Sequence, residues 1–241
     1  MMDYTKLKRK IETNRAIISN IFSDAESTKR LNNLNWLRHE ISYTEPRTLF
    51  HVPNKEQQPY LDFNCMRNLG IAYDYIINNP TAPVDTYSVC KIHHLLCADT
   101  HIDGGRFRTC TKVLEIFVNG NRMYAPDAYE IPYKLNDIIY KANNISSDPL
   151  CTAFDVHYSL IALQPFDDFN KRTARMIMNW ALVQNGYSPI VFNATSDKRN
   201  YIASLGANAN GNHKEYNKYM LSCMARTQDK IINLFKKSRI L

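Results

Sequence analysis

The chain has 241 residues, 44% of them hydrophobic, and carries 30 Lys+Arg against 23 Asp+Glu, a formal charge of +7. That content suits one good-sized core with or without a small appendage. The positive excess is spread along the chain with modest clusters at residues 6–10 and 236–239, and reads as a solvated basic surface, with no nucleic-acid motif beside it. None of the 6 cysteines forms a C-x-x-C pair, which argues against a zinc site, and a chain of this size needs no disulfide framework. Residues 1–10 are charged and lack the apolar stretch of a secretory signal. No apolar run approaches the ~18 residues of a membrane span. A cytoplasmic protein with reduced thiols is expected; delivery into another cell would leave no mark in these residues.

Glycine is sparse, 7 residues against 15 tyrosines, and short periodic apolar runs predict a mainly α protein. Residues 5–22 carry Leu7, Ile11, Ile17, Ile18 and Ile21 as one apolar stripe. A second helix is predicted over 31–42, ended by Pro46, then a proline-bounded polar loop over 53–59. Helices follow over 62–78 and 85–97. Residues 113–124 differ: Val113 to Val118 are strand formers, and Asn119-Gly120 supplies the two positive-φ residues of a tight hairpin turn. One hairpin cannot stand alone, so it must lie on the helical body as a flap. Helices are predicted over 131–143, entered through Pro132, and over 149–163, stopped by Pro165. Another runs over 173–184, apolar around its circumference and therefore central, with Asn185-Gly186 as its C-terminal cap. Helices over 196–205 and 214–235 complete the set, joined by a flexible loop over 206–212.

The densest chemistry is in Gln164-Pro165-Phe166-Asp167-Asp168-Phe169-Asn170-Lys171-Arg172-Thr173-Ala174-Arg175. A loop entering a helix N-terminus offers backbone N–H groups and a partial positive charge to anions. Arg172 and Arg175 project from neighbouring positions of the first turn and can clamp a polyphosphate. Asp168 can hold Mg²⁺ against phosphate oxygens, and Asn170 can donate to phosphate or cap the helix. A helix cap with a surface Asp/Arg network would use the same residues.

This stretch resembles the signature of the Fic (Fido) family, H-P-F-x-D/E-G-N-G/K-R-x-x-R, at Pro165, Phe166, Asp168, Asn170, Lys171, Arg172 and Arg175. Ile92-His93-His94-Leu95-Leu96 with Gly105-Arg106-Phe107-Arg108 is similar to the family's I-H-x-x-L and G-x-F/Y-R segments. Ala153 to His157 and Asn185-Gly186-Tyr187-Ser188-Pro189 are similar to the runs that flank its signature, and the likeness covers about residues 60–224. It implies a mainly α, Fic-type helical bundle with one β-hairpin flap. The expected layout is an N-terminal helical extension (1–55), the Fic-like core (56–225) and a basic C-terminal helix end (226–241). The implied activity is transfer of AMP from ATP, with Mg²⁺, to a Ser, Thr or Tyr hydroxyl of a target protein docked on the flap at 113–124. By position, Asp168 would hold the metal, and Phe169, Asn170, Lys171, Arg172 and Arg175 the nucleotide. Neither nucleic acid nor membrane is an expected partner, and oligomeric state is open, a homodimer included.

Two positions depart from the pattern, and a third, Lys171, fits it in a form shared with another branch. Gln164 stands where the family has its general-base histidine, and a neutral amide has no useful basicity near pH 7. His157 lies about 10 Å of helical rise away, too far to replace it, and reads as a core or supporting histidine. Phe169 replaces a glycine: either the loop keeps its conformation with the ring outward, or the anion site is altered. Lys171 occurs also in the Doc-like kinase branch, whereas Arg175 argues against that branch. The alternatives to a crippled adenylyltransferase are therefore a non-catalytic nucleotide- or protein-binding pseudoenzyme and a Doc-like protein kinase. Glu40 and Glu45 are the candidates for an inhibitory glutamate, and neither has the family's flanking residues.

Overall fold

The computed structural model describes residues 3–23, 58–145, 147–192 and 194–238. Among these are eight α-helices and one antiparallel hairpin. The order is α1 (Tyr4–Ser23), α2 (Gln58–Asn78), α3 (Thr86–Cys97), β1 (Val113–Val118), β2 (Asn121–Tyr124), α4 (Ile131–Asn143), α5 (Pro149–Leu163), α6 (Asn170–Gln184), α7 (Ala194–Ala209) and α8 (His213–Ser238). The predicted helix at 31–42, the first part of the predicted loop at 53–59, and Glu40 and Glu45 lie outside the described residues.

α6 is the axis of the bundle. Met176, Ile177, Met178, Trp180, Ala181 and Leu182 are all buried, because α5, α3 and α2 pack around it. Its only indole N–H is satisfied by Asn79 O at 2.9 Å, as burial of a tryptophan requires. Its C-terminus closes as expected: Gly186 has φ 71°, and Gly186 and Tyr187 N–H donate to Val183 O and Leu182 O. α1 packs along α8 through Leu7, Ile11 and Ile18, while Ile17 of its predicted stripe is exposed. Arg15 then reaches the cap of α6, donating to Asn185 O and Gly186 O.

Most element limits follow the sequence, and three differences have clear causes. α2 begins at Gln58 rather than 62, with Pro59 in the first turn, where its missing N–H costs nothing. α6 begins at Asn170 rather than 173, because Phe169 adopts a left-handed conformation and its carbonyl accepts from Thr173 N–H at 2.9 Å. The predicted flexible loop at 206–212 is mostly helix: α7 continues to Ala209. Leu205 is buried and Asn208 accepts from His213 Nδ1 at 2.6 Å, so this polar, glycine-containing run is held by its neighbours. The chain turns only at Gly211, φ 83°.

The hairpin turns at Asn119 (φ 49°) and Gly120 (φ 81°), the two positive-φ positions expected. Pairing runs Val118↔Asn121 and Phe117↔Arg122, then Val113↔Tyr124, so β1 bulges between the last two pairs. Leu114 and Ile116 fall in this bulged stretch and are buried, which seats β1 on α7 and leaves most of β2 exposed.

Candidate functional site

The loop between α5 and α6 is bounded by two strained residues. Gln164 ends α5 with φ 46° and Phe169 precedes α6 with φ 56°. Left-handed backbone costs a non-glycine residue roughly 1–2 kcal/mol, so the surroundings must impose it. Three buried side chains do so.

The first is Asn170. Its Oδ1 accepts from Phe166 N–H at 2.9 Å, and its Nδ2 donates to Phe166 O at 2.8 Å and to Gln164 Oε1 at 3.0 Å. Both amide hydrogens and the amide oxygen are thus used in closing the loop. Gln164 Nε2 in turn donates to Ile161 O at 2.9 Å.

The second is His93, fully buried on α3. Gly105 N–H donates to its Nδ1 at 2.8 Å, so the neutral ring carries its proton on Nε2 and donates it to Asp168 O at 3.1 Å. Gly105 has φ 89°, and a Cβ on neighbouring Gly104 would lie 2.8 Å from His94 Cα; the 104–105 backbone reaches His93 only because it carries no side chains. The ring is stacked on Phe166, centroids 3.7 Å apart and planes 4° apart. Burial pushes its pKa down to about 4, against a smaller upward pull from the Asp168 carbonyl.

The third is Arg108, 2% exposed. It donates to the carbonyls of Gln164 (2.6 Å), Leu163 (3.2 Å), Cys110 (2.8 Å) and Pro126 (2.5 Å), and its own N–H donates to Pro165 O. It ties the end of α5 to both feet of the hairpin.

Phe169 keeps the backbone a glycine would allow, but its ring does not point outward. It is 4% exposed, with the Arg172 guanidinium 4.6 Å from its centroid and His93 edge-on at 6.5 Å. The loop keeps its glycine-like conformation, but the ring is absorbed beneath it rather than turned outward.

Above the loop lies a cavity of about 300 Å³ lined by Gln164, Asp167, Asp168, Phe169, Asn170, Lys171 and Arg172 on one side and by Lys112, Val113 and Leu114 of the flap on the other. It brings together every expected site residue except Arg175. Asp168 Oδ1 accepts from Phe169 N–H at 2.6 Å, and the residue is exposed. Arg172 is 3% exposed and donates from Nη1 to Cys65 Sγ at 3.6 Å. Arg175 is 5% exposed and sits over the rings of Phe192 and Tyr201, 5.7 and 5.8 Å from their centroids.

Beside Arg175 lies His157, fully buried. Tyr216 spends its hydroxyl proton on Phe154 O, so His157 Nδ1–H donates to Tyr216 Oη at 2.7 Å and Nε2 accepts from Tyr201 at 2.9 Å. Both ring nitrogens are committed, and burial, with Arg175 adding to it, pushes the pKa down to about 3. His157 is a structural histidine.

Lys112 and Asp167 were not singled out from sequence, and Arg108 and His93 entered only as motif letters. His93 and Arg108 acquire their places through contacts with a loop distant in sequence, Lys112 through the seating of the flap over the cavity, and Asp167 through the loop to which it belongs.

The site is thus a mixed-charge cavity over a helix N-terminus, roofed by a hairpin on a helical bundle. Residues 83–182 match the Fic/DOC family, and the chain contains a Fic (Fido) domain. A protein adenylyltransferase Fic of Nematostella vectensis is 26% identical over 76% of this chain and 42% of its own length; the chain thus spans less than half of that relative. Among solved structures, a Fic domain containing signaling protein from Bacteroides thetaiotaomicron superposes with TM-score 0.73 at 20% identity, covering 93% of this chain and 98% of the other. Fic-1 from C. elegans superposes with TM-score 0.74 at 17% identity, covering 97% and 74%. These likenesses establish the fold.

Proposed function

We propose that the chain binds ATP with Mg²⁺ in the cavity over α6 and is a protein adenylyltransferase scaffold whose transfer step is crippled by Gln164. The observation that carries this reading is the convergence of the α6 N-terminus, Lys171, Arg172, Lys112 and two aspartates on one cavity. The first-turn N–H groups and these cations suit the β- and γ-phosphates. Mg²⁺ borne by a nucleotide takes one or two carboxylates and otherwise phosphate and water oxygens. Asp168, aided by Asp167, fits that need, and no group of three or more His, Cys, Asp or Glu among the described residues makes a protein-only metal cage. When bound, the ion would supply charge neutralisation at the phosphates.

In the transfer, a target Ser, Thr or Tyr oxygen bonds to the α-phosphorus, the bond to the bridging oxygen breaks, and pyrophosphate departs. The hydroxyl proton needs an acceptor. Gln164 cannot take it, and a general base typically contributes about 10²–10⁴-fold. The exposed edge of β2 offers the target segment a strand to pair with.

The test is transfer of label from α-labelled ATP to lysate proteins by the chain as it stands and by Gln164→His. The expectation is faint or no labelling by the former and a rise of about 10²–10⁴-fold in the latter. No transfer by either form would overturn the adenylyltransferase reading. A second reading, a non-catalytic nucleotide-binding module, is favoured by one observation: both ends of the Gln164 amide are already hydrogen-bonded within the protein. It predicts ATP binding with no label from either form. Transfer of γ-label instead would indicate a Doc-like kinase.

A further inference from the structure

Gln164 occupies the base position, yet its amide is not idle. α5 is followed by Pro165, which has no N–H. The carbonyl four residues earlier, Ile161 O, therefore loses the donor that a continuing helix would supply. Gln164 Nε2 fills that vacancy at 2.9 Å, while its Oε1 accepts from Asn170 Nδ2 at 3.0 Å. The same Asn170 side chain holds Phe166 through both its N–H and its carbonyl. The Gln164 amide is thus the outer link of a chain Ile161–Gln164–Asn170–Phe166 that pins the loop between its two left-handed ends.

From this geometry we propose that Gln164 is a positioning residue for nucleotide phosphates. By holding Asn170 against Phe166 it fixes the loop so that the first turn of α6 faces the cavity with Lys171 and Arg172. The inference rests on the nucleotide-binding reading above and gives it a new part: the base position has become a brace. An amide has no useful basicity near pH 7, so a site braced in this way favours holding the nucleotide over turning it over.

The experiment compares the chain as it stands with Gln164→Met, which keeps an unbranched side chain of similar length and removes both hydrogen bonds. Gln164→Glu serves as the conservative variant, since it keeps the oxygen that accepts from Asn170. Hydrogen exchange of the Phe166 amide is read first, without nucleotide. It should quicken about fivefold to tenfold in Gln164→Met, the effect of one lost hydrogen bond, and much less in Gln164→Glu. Calorimetry then compares ATP with adenosine. Gln164→Met should weaken ATP by a similar factor and leave adenosine unchanged. Asn170→Ala should weaken ATP too, and adding Gln164→Met to it should cost nothing further, because the two act as one unit. Unchanged exchange at Phe166, or fully additive losses in the double variant, would overturn the brace. An unaltered chain that binds no ATP would sink the nucleotide reading instead, and the exchange measurement would still decide whether Gln164 braces the loop.

Discussion

Arg108 Nε donates to the carbonyl oxygen of Gln164 across 2.6 Å, and the same guanidinium holds Cys110 and Pro126, the two feet of the hairpin. Its hydrogen bonds go to backbone carbonyls, including those at the negative end of α5, and the carboxylates of Asp167 and Asp127 add to the charge around it. One side chain therefore fixes the loop and the flap relative to each other.

Replacing it tests that coupling. Arg108→Met keeps apolar bulk but leaves several carbonyls without donors, at a cost of about 3 kcal/mol or more. Denaturant unfolding should show the loss. Hydrogen exchange at Ala125, whose N–H donates to Lys112 O at the base of the hairpin, should quicken by more than exchange in the middle of α6.

Phe169 sets backbone strain against ring burial. Phe169→Gly would relieve about 1–2 kcal/mol of left-handed strain but remove a buried ring whose loss typically costs about 3–5 kcal/mol. Burial wins, so the variant should be less stable by roughly 1–4 kcal/mol, even though glycine matches the family pattern. Equal or greater stability in urea would mean that the ring contributes little beneath the loop.

His157 should make the fold acid-sensitive. Its pKa of about 3 in the fold lies below the ordinary value of 6.5, so the unfolded chain takes up the proton first as pH falls. Its contribution is fully present above about pH 6.5 and is lost on the way down toward pH 3, at up to about 1.4 kcal/mol per pH unit. Unfolding free energies at pH 6 and at pH 4 should differ less in His157→Phe than in the unaltered chain, by about 2–3 kcal/mol over those two pH units.

Gly120→Ala isolates the turn. No atom lies within 4 Å of the added Cβ, so any cost is that of φ 81° alone, about 1 kcal/mol, and it should appear as faster exchange in the hairpin rather than as global unfolding.

Much of this was legible in the sequence where the signal is local. α4 and α5 begin and end as expected because Pro132, Pro149 and Pro165 punctuate them, and Asn119-Gly120 dictates its own turn. The flexible loop expected at 206–212 failed because composition records polarity, not the packing of Leu205 or the bond from His213 to Asn208. In the site, the signature marked the residues around the cavity. It could not show that the Phe169 ring turns inward, that Asn170 spends its amide on the loop, or that Lys112 faces the loop from the flap. Those facts depend on contacts between parts of the chain far apart in sequence.

The hairpin is fastened at more than its feet. At the tip, Asn119 N–H donates to Asn210 Oδ1 in the turn between α7 and α8, at 3.0 Å, while Arg108 holds the other end. It is a span anchored on both banks. A guest strand arriving at β2 would meet a rail already laid, so the entropy of ordering that edge is settled when the protein folds and little remains to be charged against binding.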